Sequence, residues 1–519
     1  MISFVEFVDN YQDVTEYMGI SYIMSNLRSH GLECKLIILK KGDYEKNFNM
    51  IEFCDNDILA FGLYCDTVDD VLACSKAVKS AHPKVNIVLG GPNAKYYEKE
   101  ILDENQQIDI IISGEGEETF LELAQFIIHK KGLIHDIKGI CFRENQNVIQ
   151  NPTRSDIKDL NNLSFPCRDI HEKYPQEFLY ITGSRGCSAN CSFCFETINK
   201  TSKTVRCRSA KDIVDEMEFL IKKYNIKSFQ FTDATFEDND LINFTRSSKI
   251  FNEILSRQLY VNVSIYSRAE IISRLPERCL EKAKAAGLES VFIGLESGNE
   301  SDLKLFNKRA TVYDNMVAVK RLKEHGIPSV YGFINFNPYS SYETLKKNSD
   351  FLFSTGIGYN IRPFLTRLEV FPQSAIRKRL IKDRLMDSNS DYKTGIYDYE
   401  FKEQEIKRLV EVFSSLPIDG RQYGIDHLIS IYQYRITSKY SEHLKIFDSI
   451  FSDVKHIRDE KLILNKDCFN TCLDMIFNNA SIDTVGGYFK ESKIDRYDVE
   501  LRNIHMKILM KLRRIGITV

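Results

Sequence analysis

Three cysteines fall within eight residues of this 519-residue chain: Cys187, Cys191 and Cys194. Thiolates are soft ligands that suit iron–sulfur clusters or zinc. The run Gly183-Ser184-Arg185-Gly186-Cys187-Ser188-Ala189-Asn190-Cys191 is rich in small and turn-forming residues, which let a loop wrap a compact object. It follows directly on Phe178–Thr182, an apolar stretch that reads as a strand. Three ligands is the informative count. A closed structural zinc site takes four, whereas a cubane cluster on three cysteines leaves one iron open to an outside ligand. Three unconnected cysteines, or a zinc site with a fourth ligand elsewhere, are the plainer alternatives.

The segment resembles the signature of the radical SAM superfamily. The resemblance implies a 4Fe-4S cluster on the three cysteines, with S-adenosylmethionine (SAM) filling the open position through its amino and carboxylate groups. Electron transfer into the sulfonium then breaks a C–S bond and releases a 5′-deoxyadenosyl radical. The likeness continues along the chain. Phe229–Phe236 is similar to the family's second strand, with Asp233 after the apolar run. Val263–Arg268 is similar to the third, with Ser264 and a terminal Arg268. Gly287–Gly298, followed by Leu305-Phe306-Asn307-Lys308, resembles the fourth strand and its sequel, with Glu296.

Ligands of β/α sheets sit at the C-terminal ends of the strands, where Asp233, Arg268 and Glu296 fall. Arg268 is expected to pair with the SAM carboxylate. Glu296 is expected to accept hydrogen bonds from the ribose or the SAM amine. Phe193, Ser264 and Asn335 complete the implied SAM contacts. For each charged residue the alternative is an ordinary surface salt bridge. The fifth strand, Tyr331–Pro338, departs from the family's pattern, because Asn335, Asn337 and Pro338 stand where a glycine-rich turn is usual.

Two further loops could cradle a large ligand. Gly90-Gly91 ends the apolar run Val85–Leu89, and Gly114-Glu115-Gly116-Glu117 follows Ile108–Ile112. Glycine lets the backbone approach a ligand closely. These loops resemble those of the cobalamin-binding domain in class B radical SAM enzymes, which implies cobalamin contacts at Gly90, Gly91, Gly114, Glu115, Gly116 and Glu117. There is no D-x-H-x-x-G motif, so no histidine is expected below the cobalt; His30, His82 and His135 read as ordinary surface or helix-end residues. A domain that keeps the fold without its ligand is the alternative.

These residues need elements to position them. Over residues 1–150, apolar runs at Ile2–Val8, Cys34–Leu39, Ile58–Tyr64, Val85–Leu89 and Ile108–Ile112 alternate with amphipathic stretches at Ile20–Ser29, Val68–Ser80, Tyr96–Leu102 and Glu118–His129. That pattern predicts an α/β, Rossmann-like (flavodoxin-like) parallel sheet covered on both faces. Residues 151–175, punctuated by Pro, Asp and Asn, read as a linker. A second β/α rhythm over 176–380 predicts a partial or full β/α barrel, with further strands at Ser329–Asn335 and Gly358–Leu365. Residues 381–519 read as helical, with helices at Glu403–Ser415, Ile425–Ile436, His443–Phe451, Asp467–Phe477 and Val499–Ile515.

Bulk composition narrows the class. The chain is 43% hydrophobic and 28% charged, with a net charge of -3, which gives no broad basic field for nucleic acid. No apolar run is long enough for a membrane helix. The first residues do not read as a signal peptide, so a cytoplasmic protein is expected. The odd total of 13 cysteines argues against a disulfide framework. Cys468 and Cys472 share a helical face and could ligate a metal, but pack more simply into a core. Cys207 reads as structural, with a catalytic thiol as the alternative.

The whole pattern implies a cobalamin-dependent radical SAM enzyme that transfers a methyl group to an unactivated carbon of a small-molecule or peptide substrate, fed by a flavodoxin or ferredoxin. Radical cyclisation, rearrangement, epimerisation or crosslinking without methyl transfer is the second reading. A non-catalytic cobalamin or cluster sensor is the third. A tRNA methylthiotransferase fits poorly, because the C-terminus reads helical and Cys34, Cys54, Cys65 and Cys74 lack a second cluster pattern.

Overall fold

The computed structural model describes residues 1–11, 14–42, 58–199, 204–237, 244–389, 391–415, 421–492, 494, 496–515 and 517. Its first unit is a seven-stranded sheet. Strands β1 (Ile2–Val8), β2 (Cys34–Lys40), β3 (Ile58–Gly62), β4 (Asn86–Gly90) and β5 (Ile110–Ile112) run parallel in the order β2-β1-β3-β4-β5. All seven residues of β1 are buried, as a strand covered on both faces requires. One face packs on helices Val68–Ala81 and Glu98–Glu104, the other on Met18–Ser29 and Gly116–His129. The order reverses between β1 and β3, and such a switch opens a crevice at the C-terminal strand ends.

The sequence reading stops this sheet at five strands; the structure adds an antiparallel hairpin, β6 (Ile140–Glu144) and β7 (Asn147–Gln150). Its two-residue turn, Asn145-Gln146, has positive φ at both positions (47° and 68°), the backbone that matches strand twist in tight hairpins.

The second unit is a parallel sheet, β8 (Leu179–Ile181), β11 (Ser228–Phe231), β12 (Asn262–Arg268), β13 (Leu288–Glu296) and β14 (Ser329–Phe333), adjacent in that sequence. Between β8 and β11 a two-residue ladder joins β9 (Ser184–Arg185) to β10 (Arg206–Cys207). The strand expected at Gly358–Leu365 is not one: Arg362–Leu365 is a helical turn. Pro363 lies in its first turn, where a missing N–H does no harm, whereas in a ladder it would remove a donor. The sixth position is taken just beyond, where Phe336 bridges Arg367 in parallel and Asn335 and Phe336 donate their N–H groups to the Thr366 carbonyl. The barrel among the described residues is therefore partial.

The C-terminal helices are Gln404–Ser414, Arg421–Lys439, Asp448–Phe477, Ile482–Glu491 and Arg496–Arg514. The separate helices expected at His443–Phe451 and Asp467–Phe477 merge into one of 30 residues, preceded by a 3-10 turn at Ser441–Ile446. Ile482–Glu491 was not anticipated. Part of this region shares the barrel's core: Phe336, Phe364, Phe413 and Phe469 are buried together. A separate apolar cluster joins Arg421–Lys439, Asp448–Phe477 and Arg496–Arg514. Among the described residues no helix is long and apolar enough to cross a membrane.

Candidate functional site

The cysteine loop leaves β8 and is pinned at both ends. At its start, Asp233, fully buried just past β11, accepts from the Gly183 N–H at 2.7 Å, the Ser184 hydroxyl at 2.7 Å and Arg246 at 2.6 Å. Both carboxylate oxygens are thereby occupied. Asp233 thus braces the loop ahead of Cys187. A Cβ at Gly183 would come within 3.0 Å of this carboxylate, so only glycine allows the approach. Gly186, at φ +91°, turns the chain into Cys187.

The far side of the loop is stitched to residues 305–309. Ser192 donates its N–H to the Phe306 carbonyl and its hydroxyl to that of Leu305, both at 2.9 Å. Asn307 donates to the Asn190 carbonyl at 2.7 Å, and Arg309 to that of Ser188 at 2.9 Å. Phe193 packs edge-on against Phe306, with centroids 5.4 Å apart. Leu305, Phe306, Asn307 and Arg309, which follow β13 in the sequence, thus hold the cysteine loop in place.

Cys187, Cys191 and Cys194 are near enough to act on one another electrostatically. Yet among the described residues no three His, Cys, Asp or Glu side chains converge on a single ion. Three soft thiolates on one loop are a donor set that suits an iron–sulfur cluster. Burial pushes the Cys191 thiol up to about 11, while the positive charge of Lys308 opposes the rise. Cys468 and Cys472 lie elsewhere, buried in the core with Phe469 and Leu473. Cys207 pairs with Ser184 in the short ladder.

Glu296 ends β13 at φ +65°, a left-handed conformation uncommon for a glutamate, at a register shift against β14. Its carboxylate lies 3.1 Å from the Lys308 ammonium and folds back over Gly294, where a Cβ would collide with it. Both side chains are largely buried, and both act on Cys191. Arg268 ends β12, also buried, with its Nε 3.3 Å from the Glu270 carboxylate. Ser264, half-buried, pairs with Gln230 across β12 and β11. Asn335 is fully buried and donates to the Phe364 carbonyl at 2.6 Å, so its amide nitrogen ties β14 to the next segment.

At the C-terminal edge of the first sheet runs a groove. Its deeper part, about 290 Å³, is lined by Tyr22, Gly62, Gly90, Gly91, Gly114 and Gly116 among others; a neighbouring part of about 380 Å³ continues to Thr182, Arg185 and Gly186 of the cysteine loop. Gly114 has φ +87° and only open space where a Cβ would be, and Gly91 has φ +95° with the Leu63 backbone 3.1 Å from that point. A glycine cradle of this kind fits a large, flat ligand. Glu115 and Glu117 line the same groove and reach across to the cysteine loop. Arg185 donates to Glu115 at 2.9 Å and to Glu117 at 2.5 Å, and Arg206 donates to Glu115 at 2.8 Å. The two carboxylates clamp the groove to the cysteine loop. Arg185 and Arg206 were missed as site residues because spacing in sequence carries no sign of pairing across units; Lys308 was missed because its pairing with Glu296 depends on how the chain turns after β13.

Comparison with known proteins agrees with this geometry. Residues 181–352 match the radical SAM superfamily and residues 7–124 match the B12 binding domain. The chain is similar to an uncharacterised methyltransferase of Pyrococcus horikoshii, 26% identical over 349 residues, covering 66% of this chain and 74% of that one. It is 28% identical over 281 residues to the anaerobic magnesium-protoporphyrin IX monomethyl ester cyclase of Rubrivivax gelatinosus, covering 52% of this chain and about half (49%) of the cyclase. Among solved structures, the cobalamin-dependent SAM radical enzyme OxsB, with aqua-cobalamin and SAM bound, superposes with a TM-score of 0.67 at 18% identity, covering 98% of this chain and 83% of that one.

Residues 181–352 therefore form a radical SAM domain, which implies a 4Fe-4S cluster and SAM. Residues 7–124 form a B12 binding domain, which implies cobalamin.

Proposed function

We propose that the chain methylates an unactivated carbon of a small-molecule or peptide substrate. The observation that carries this reading is the clamp of Arg185 on Glu115 and Glu117, which fixes a glycine-lined groove of the B12 binding domain against the loop of the three cysteines. The cofactors supply one-electron cleavage of SAM and a transferable methyl group when bound. The chain's own residues hold and orient. Cys187, Cys191 and Cys194 hold the cluster. Arg268 and Glu296, at adjacent strand ends, orient the carboxylate and the amine or ribose of SAM. Lys308 holds the Glu296 carboxylate beside Cys191. Gly90, Gly91, Gly114 and Gly116 let the backbone approach the corrin. The C-terminal helices limit the access of water to the barrel. A flavodoxin or ferredoxin serves as electron donor in this reading.

The similarity to the cyclase favours a second reading, radical ring closure without methyl transfer. Anaerobic reconstitution followed by product analysis separates the two. S-adenosylhomocysteine together with 5′-deoxyadenosine and a methylated product supports methyl transfer. Deoxyadenosine alone supports the second reading. Protein that takes up iron but no corrin removes the methyl-transfer proposal.

A further inference from the structure

The inner face of the barrel sheet changes character with depth. At its C-terminal mouth stand charged pairs, Arg268 with Glu270 and Glu296 with Lys308. Further down the strands the face is neutral. Gln230 pairs laterally with Tyr180 and Ser264, and Tyr266 pairs with Phe292. Ser290, one inner-face position below Phe292, is bonded at 3.0 Å to His427 of helix Arg421–Lys439, which closes the lower end of β13. Burial brings the His427 pKa down to about 4, so its imidazole is neutral here.

Phe292 departs from the pattern of an interior strand. Its neighbours Val291 and Ile293 are fully buried on the other face, yet Phe292 is 38% exposed on a strand paired on both sides. Its ring lies over Gly332, where a Cβ would come within 3.3 Å of it. The absent side chain leaves the ring flat and accessible. Tyr266 stands beside it, centroids 5.2 Å apart and planes at 49°, and Gln230 donates to the Tyr266 hydroxyl at 3.1 Å. The two rings form a wall held in place from both sides.

We infer that the part of the substrate entering the barrel is an uncharged, planar, unsaturated group that lies against Phe292 and Tyr266. This rests on the radical SAM reading of the site. Aromatic groups gain from offset or edge contacts with such rings beyond the area they bury. A phosphate or carboxylate at that depth would lose its hydration among Gln230, Ser264, Tyr266 and Phe292, none of which is charged. The charged mouth suits the zwitterionic end of SAM, and the neutral interior suits a different molecule.

The test is anaerobic equilibrium dialysis of the reconstituted holoenzyme against 2-naphthol and, separately, 2-naphthyl phosphate. The expected result is that naphthol is held at least tenfold more tightly than its phosphate, with SAM present. Phe292→Leu, which keeps an apolar side chain but removes the flat face, should weaken naphthol at least tenfold with iron and corrin content as in the wild type. Equal retention of the two probes, no retention of naphthol, or indifference to Phe292→Leu overturns the inference. Displacement of naphthol by SAM overturns it too, since the wall would then belong to the adenine. Deoxyadenosine formation from SAM is measured on the same samples. Its presence without naphthol selectivity sinks the substrate class alone; its absence sinks the underlying reading and the substrate class with it.

Discussion

Arg185 and Glu115 stand 2.9 Å apart and join two cofactor loops, one leading into Cys187 and the other following β5. Glu115 also receives Arg206 and the Ile157 N–H, so one carboxylate ties together the first sheet, the linker and the barrel. Removing Arg185 leaves Glu115 with Arg206 but takes the ion-pair partner from the buried Glu117, at a cost of about 3 kcal/mol. Arg185→Met is therefore expected to lower the melting temperature and reduce corrin retained through gel filtration. Burial alone would raise the Glu115 pKa, but Arg206 and Arg185 hold it below its ordinary 4.5. Its contribution to stability is present above that value and is lost as pH falls through the lower folded value. Glu115→Gln should flatten the acid limb of the stability curve; an unchanged acid limb would refute the clamp.

Cys191→Ala is expected to abolish bound iron after anaerobic reconstitution while circular dichroism stays that of the wild type. Cys468→Ala and Cys472→Ala should leave the iron content unchanged, because both thiols are buried in the core away from the loop. Iron retained in Cys191→Ala, or lost in the helix variants, would contradict the assignment.

What the sequence disclosed follows its local signals. Ile2–Val8 is legible because a strand covered on both faces must be apolar throughout, and β1 has those bounds. The cysteine loop is legible because cluster ligands lie close in the chain. Asp233 stands just past a strand end, but its donors Gly183, Ser184 and Arg246 meet it only through the fold and are not legible in the sequence. The same holds for Glu115 and Glu117: a glycine–glutamate loop carries no sign of the arginines that meet its carboxylates. The helix at Arg362–Leu365 was misread because its apolar residues mimic a strand and Pro363 was given too little weight.

Lys308 and Glu296 form a second testable pair. Lys308→Met would leave a carboxylate largely buried and without its cation, which costs about 3–5 kcal/mol. Glu296→Gln combined with Lys308→Met should recover part of that loss, since the uncompensated charge is gone. Denaturant titrations of the two single variants and the double variant measure the coupling. Additive losses would show that the two side chains do not act as a pair.

The shared core makes a prediction about cooperativity. Phe469, fully buried, meets Phe336 and Phe364 of the barrel side as well as Phe413 of helix Gln404–Ser414. Helices Gln404–Ser414 and Asp448–Phe477 should therefore unfold together with the barrel. Phe469→Ala is expected to cost about 3–5 kcal/mol, through lost apolar transfer and the cavity left behind. Hydrogen exchange followed by mass spectrometry reads the outcome: in the variant, protection should fall in parallel in the peptides of β14 and of Asp448–Phe477. If only the helical peptides lost protection, the helices would be an independent unit and the continuous core would carry no energetic coupling.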